Sequence, residues 1–235
     1  MTPTTTVTAH SSTCNSTSIF GQWLTNAWTL FKQAPFTLIV LVIASMIISG
    51  VFQAIPGALG ILVSKYVGAM LIFVMWPMLD QIKRTKRLSF KNLGHYSGWK
   101  YMPIMALLFM LPFAVNVLTA SMILGDSAMD LMFNGNIANV SATQMGLIFA
   151  SGAIPLVLLS FVAPLIMLGN QTMVDATCKG LQMFAKAHKP MLIVLAIQML
   201  SLFFAPHTFA LSALLVAPLM LCLNYQAFHY LRAEK

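Results

Sequence analysis

A catalytic centre needs paired acids, a base, a nucleophile or a set of metal ligands gathered round one reacting group. This chain has 5 Asp and Glu and 5 His with which to build one. Asp80, Asp175 and Glu234 are scattered, and His95, His188 and His229 stand singly in basic or aromatic surroundings. No catalytic set, cofactor or metal is therefore expected. The nearby lysines could handle phosphate, but interfacial lysines that bind lipid headgroups account for the same residues without a reaction. His10 and Cys14 could share a metal only on a helix and with two further ligands. The 18 methionines raise a question of Cu(I). They are spread over nearly every apolar run and read as flexible packing. Cys14, Cys178 and Cys222 are an odd number without redox or metal spacing, so no disulfide framework is expected. Asn139-Val140-Ser141 matches a glycosylation acceptor, which has meaning only in a secretory pathway.

The elements that must position these residues are apolar. Hydrophobic residues make up 59% of the chain and charged ones 8%, with a mean hydropathy of +0.83, which excludes an ordinary soluble domain. The net charge of +8 marks cytoplasmic loops of a membrane protein in so apolar a chain, and no nucleic-acid partner is expected. A helix needs roughly 20 apolar residues to cross a bilayer. Six stretches qualify, approximately 35–55, 58–79, 101–123, 145–168, 190–205 and 208–231, the fifth being short. Residues 1–17 are Thr/Ser-rich and lack the pattern of a signal peptide; a disordered cytoplasmic tail is expected there, ahead of a single membrane domain over 18–235.

Basic residues give the direction. Lys83, Arg84, Lys86, Arg87, Lys91 and Lys100 lie between the second and third stretches, and Lys179, Lys186 and Lys189 between the fourth and fifth. The connection 124–144 carries Asp126 and Asp130 and no Lys or Arg. The basic loops belong in the cytoplasm, which puts both termini there too.

Prolines recur in this frame. Pro35, Pro103 and Pro190 stand at the cytoplasmic start of an outgoing stretch; Pro77, Pro164 and Pro218 fall toward the end of a returning one, in FVMWPML, FVAPLIML and LVAPLMLC. At a helix start proline costs little, because its missing N–H would have had no partner. Inside a helix it frees the carbonyl four residues back, so bends are expected near Phe73, Ser160 and Leu214. Each starting proline follows an amphipathic, aromatic and basic stretch. In FGQWLTNAWTLFKQ, Phe20, Trp23, Leu24, Ala27 and Phe31 share a face, and Trp23 and Trp28 suit the headgroup region. TMVDATCKGLQMFAKAHK repeats the arrangement, while SFKNLGHYSGWKYM is weakened as a helix by Gly94 and Gly98. The fold expected is all-α: six transmembrane helices as three tandem hairpins, about 18–80, 88–168 and 172–235, each preceded by a cytoplasmic interfacial segment.

Two charged groups invite binding hypotheses. Lys83, Arg84, Lys86 and Arg87 cluster just after a span, and each would add about 1 kcal/mol of attraction to an anionic leaflet. Lys65 is the one charge well inside a span. It either snorkels to the interface or meets an acid of the connecting loop, Asp126 or Asp130.

The Trp-bearing amphipathic opening with Leu30-Phe31-Lys32 and Pro35, Leu88-Ser89-Phe90-Lys91-Asn92-Leu93 after the second span, and the helix ending at Lys189-Pro190 resemble the YciC-like bacterial inner-membrane proteins and their proteobacterial relatives. The resemblance runs from about Ser18 onward and leaves out the Thr/Ser-rich tail and the loop 124–144. It implies a six-helix inner-membrane protein and carries over no active site. The function expected is a non-catalytic scaffold or accessory component, with anionic lipids and other membrane proteins as partners. The alternative is a small transporter or channel, for which Asn116, Gln198 and Ser201 would supply polar groups within the membrane. An apolar, filled core would favour the former; a polar cavity reaching the midplane would favour the latter.

Overall fold

The computed structural model describes residues 16–86, 93–135 and 140–233. Within them every regular element is helical, with no strand. Residues 1–15 of the Thr/Ser-rich tail, with His10 and Cys14, together with Arg87, most of the 88–93 motif, Asn139 and Glu234, lie outside the described residues.

Helix α1 (Ser16–Gln33) leads into α2 (Pro35–Gln53), which starts on its proline, and α3 (Ala58–Thr85) returns after a turn in which Gly57 adopts φ 78°. Short 3-10 turns at Leu93–His95 and Ser97–Tyr101 stand where Gly94 and Gly98 weaken a regular helix. The next two apolar stretches are each divided. The first comprises α4 (Met102–Leu108) and α5 (Leu111–Leu124); after α6 (Ser127–Asn134), the second comprises α7 (Ala142–Ser151), α8 (Ala153–Leu158) and α9 (Val162–Met167). Finally α10 (Met173–Lys186), α11 (His188–Phe204) and α12 (Leu211–Ala233) complete the chain.

The divisions have one cause. Proline cannot donate to the carbonyl four residues back, and its ring crowds that carbonyl. Helix α4 ends at Leu108, four before Pro112; α7 ends at Ser151, four before Pro155; and the break 159–161 holds Ser160, four before Pro164. Helices α3 and α12 remain helical through Pro77 and Pro218.

Among the described residues five stretches are long and apolar enough to cross a membrane: Pro35–Gln53, Ala58–Thr85, Ser97–Leu124, Ala142–Met167 and Leu211–Ala233. A sixth is reached only by taking α10 and α11 together, and these are bent by 97° to one another. Helix α11 alone has 17 residues, about 25 Å at 1.5 Å per residue, against a hydrocarbon core of ~30 Å. Large apolar side chains face outward, Phe36 being 83% and Met122 77% exposed. Such a surface fits lipid and would be a liability in water.

The main core joins α3, α9, α11 and α12 through Phe73, Trp76, Ile166, Met191, Tyr225 and Phe228. Trp23, expected to suit the headgroup region, is 1% exposed. With Ala27 and Leu30 it is buried in the main core, and its ring meets Tyr230 of α12 at 6.0 Å. Spacings of three and four put these side chains on one face, and that apolar face docks on another helix. Trp28 stays exposed, stacked on Phe31 at 5.6 Å under the Lys32 ammonium.

A second, smaller core gathers Ala120, Ala128, Leu131, Met132 and Ile148. The connection 124–144 contains α6, which packs into this core because Ala128, Leu131 and Met132 share a face. A capping box closes the way into α7: Ser141 Oγ accepts from the Gln144 amide at 3.2 Å, and Gln144 Oε1 accepts from the Ser141 amide at 3.0 Å. Helix α7 lies tightly on α11 at Gly146, where a Cβ would collide with the Phe203 carbonyl.

Candidate functional site

Trp76, Asp80 and Arg84 follow one another at intervals of four on the last turns of α3 and therefore share a face. Asp80 is only 4% exposed. Its two oxygens are fully engaged: Tyr225 of α12 donates to Oδ1 at 2.9 Å, Tyr96 donates to Oδ2 at 3.0 Å, and the Arg84 Nε lies 3.0 Å from Oδ2. A carboxylate so buried is tolerable because it is paired and hydrogen-bonded. The connection that carries Tyr96 is held at Gly98, where a Cβ would meet the backbone of Ile166 and Met167, and by the bond from Ser97 Oγ to Asn170 Oδ1 at 2.6 Å. Burial, then the Asp80 charge and its hydrogen bond, push the Tyr96 hydroxyl up to about 12.

Asp80 accepts from both tyrosines and pairs with Arg84, which leaves the exposed part of the cluster to its cations. Arg84 uses its Nε inward, while its side chain is 75% exposed; the terminal nitrogens of the fork remain available to a phosphate. Lys83 holds its ammonium over the Tyr225 ring at 5.2 Å. Lys86 terminates α3 in the left-handed region at φ 56°, its amide bonded to the Ile82 carbonyl. Of the four basic residues singled out from sequence, Lys83, Arg84 and Lys86 are thus placed at one helix end, and Arg87 lies outside the described residues.

Lys65 stands 15 residues before Asp80 on the same helix, about 22 Å away along its axis. No ion pair joins it to Asp126 or Asp130 among the described residues. Both acids are exposed on or beside α6, and Asp130 accepts from Asn134 Nδ2 at 3.0 Å. The face of α6 that turns inward is the apolar one, so the acids point away. Lys65 instead sets its ammonium 5.9 Å from the centre of the Phe113 ring and is accessible. It lines three adjoining cavities of about 590, 380 and 280 Å³. Asn116 shares two of them with Lys65, and its Oδ1 accepts from Ser151 Oγ at 3.2 Å. Gln53 bonds through Nε2 to Ser64 Oγ at 3.1 Å.

Deeper in the bundle a cavity of about 220 Å³ is lined by Ser45, Ser160, Gln198 and Asn224 beside Trp76. The Trp76 Nε1, Ser160 Oγ and Asn224 Oδ1 atoms are buried there without a hydrogen-bond partner. Ser201, the other polar residue expected within the membrane, ties α11 to α12: Ser201 Oγ donates to the Ser212 carbonyl at 3.3 Å, and Ser212 Oγ returns the bond to the Ser201 carbonyl at 2.9 Å.

Asp80, Tyr96 and Tyr225 escaped the sequence reading as a site. Tyr225 lies 145 residues from Asp80, and only the interval of four between Asp80 and Arg84 was visible locally. Among the described residues no three His, Cys, Asp or Glu side chains are grouped to hold a metal; Cys178 is exposed and Cys222 buried, both as free thiols.

These elements define a multi-pass membrane protein, all-helical over the described residues, with five to six helices long and apolar enough to span. No family model matches the chain, and neither a curated protein nor a solved structure matches it.

Proposed function

We propose that the chain is a non-catalytic component of the bacterial inner membrane, with both termini cytoplasmic, that binds anionic lipid at the basic end of α3 and serves there as a scaffold for other membrane proteins. One observation carries this reading: the buried Asp80 fixes the Arg84 guanidinium by its Nε while the rest of the fork stays exposed beside Lys83 and Lys86. A guanidinium oriented in advance loses less entropy when it grips a phosphate.

The right-angle bend between α10 and α11 supports an interfacial helix followed by a span, and the tight turns between α2 and α3 and between α11 and α12 support a hairpin architecture. The YciC-like resemblance and the three-fold hairpin repeat belong to the same proposal. Changing Lys83, Arg84, Lys86 and Arg87 together to Gln should lower phosphatidylglycerol retention in neutral detergent and flatten its dependence on salt; equal retention would overturn the reading. Cysteine labelling from outside at Asn136→Cys should succeed and at Ser89→Cys should fail, in a background lacking the native cysteines; the reverse pattern would overturn the topology.

A second reading, a small transporter, is favoured by the deep cavity with unpartnered polar atoms at Trp76, Ser160 and Asn224. Uptake by proteoliposomes that Asn224→Leu abolishes would favour it over the first.

A further inference from the structure

We infer that the cavity beneath α6 is a second lipid site, in which Lys65 holds the anionic head of a phospholipid whose acyl chain occupies the apolar remainder. This site is separate from the basic end of α3 and stands or falls apart from it. Three cavities converge on one ammonium, and none of the residues lining them is acidic. Asp126 and Asp130, the acids of the connection 124–144, make no ion pair with Lys65 among the described residues, and Asp80 lies 15 residues further along α3. A cation some seven residues inside a spanning helix, with its ring contact to Phe113 as company, is unneutralised where an anion would be held strongly.

The other polar groups match. Asn116 spends its Oδ1 on Ser151, which leaves Nδ2, a donor, without a partner among the described residues and on the wall of the same cavity as Lys65. Two donors and no acidic group fit a phosphate oxygen. Apart from Gln53, whose Nε2 is spent on Ser64 Oγ, the other side chains that wall the 590 Å³ cavity are apolar, among them Met46, Ile61, Met132, Met145, Phe149 and Leu202. A volume in the usual range of ligand sites, apolar over most of its surface and cationic at one point, suits an amphiphile better than a free ion. Methionines at three of those six positions adapt to a flexible chain. Accessibility of Lys65 provides the way in from the leaflet at that end.

The test uses the full chain in neutral detergent, in a background where Lys83, Arg84, Lys86 and Arg87 are all Gln, so that failure of the basic end cannot be mistaken for failure here. Native mass spectrometry with dioleoyl phosphatidylglycerol should show one retained lipid, weakened about tenfold by Lys65→Met or Lys65→Gln and kept by Lys65→Arg. Dioleoyl phosphatidylcholine should bind these variants alike, and inorganic phosphate should not displace the lipid. Equal phosphatidylglycerol retention in Lys65→Met, or displacement by phosphate alone, overturns the inference. A measurement on the unaltered chain guards against a misfolded variant: phosphatidylglycerol with a photoreactive acyl chain should label α6 and α7 at Met132 or Met145, and labelling confined to the end bearing Lys83 overturns it as well.

Discussion

Replacing Asp80 by alanine would strand two tyrosine hydroxyls and free Arg84, all three being held by that carboxylate. A charged hydrogen-bond acceptor in a buried setting contributes roughly 1.5–3 kcal/mol per bond, so we expect Asp80→Ala to destabilise the protein by about 3 kcal/mol. Thermal melting in detergent measures this, and an unchanged midpoint would mean that the cluster contributes nothing. Tyr96 offers a pH test at the same place. Its hydroxyl titrates at about 12 in the fold, above the ~10 of a free tyrosine. A raised value means that the folded state holds the proton more tightly, so the contribution is intact below about pH 10 and fades as pH rises toward 12. Ultraviolet titration of phenolate should show one late-ionising tyrosine fewer in Tyr96→Phe. Local spacing made Asp80–Arg84 readable in the sequence; the tyrosines were not, because they reach the carboxylate through tertiary packing alone.

Among the elements, apolar length was legible and continuity was not. A window of apolar residues identifies a span, but whether one helix or three fill it depends on Pro112, Pro155 and Pro164, whose breaks fall four residues upstream. The recurring proline phrases contain Pro77 and Pro218, around which α3 and α12 stay helical, whereas Pro112 and Pro155 lie outside those phrases. Helix α6 was hidden by Asp126, by Asp130 within it and by the glycines at its ends, though Ala128, Leu131 and Met132 carry the helical spacing. Contacts between helices yield a sharper test. Gly146 has the Phe203 carbonyl against the place of its missing Cβ, whereas Gly21 has open space there. Gly146→Ala should therefore destabilise by roughly 1–3 kcal/mol through overpacking, and Gly21→Ala should stabilise by up to about 1 kcal/mol through helix propensity. Chemical denaturation of the two variants side by side distinguishes close approach from mere flexibility.

At the scale of the whole molecule, the first described helix rests on the last: α1 buries Trp23 against Tyr230, near the last turn of α12. That arrangement sets an order of manufacture. The apolar face of α1 leaves the ribosome before its partner, which follows roughly 200 residues later, a delay of about 10–40 s at 5–20 residues per second. Until then α1 must wait on the membrane surface, for which its exposed Trp28 and Lys32 are suited. Nascent chains stopped before Leu211 should consequently be cut by an added protease within α1, and full-length chains should resist. Equal cleavage of both would show that the two ends of the chain close independently. If the difference holds, the arrival of α12 is itself the signal that hides α1, and copies that lack α12 carry an exposed segment by which quality-control proteases can recognise them.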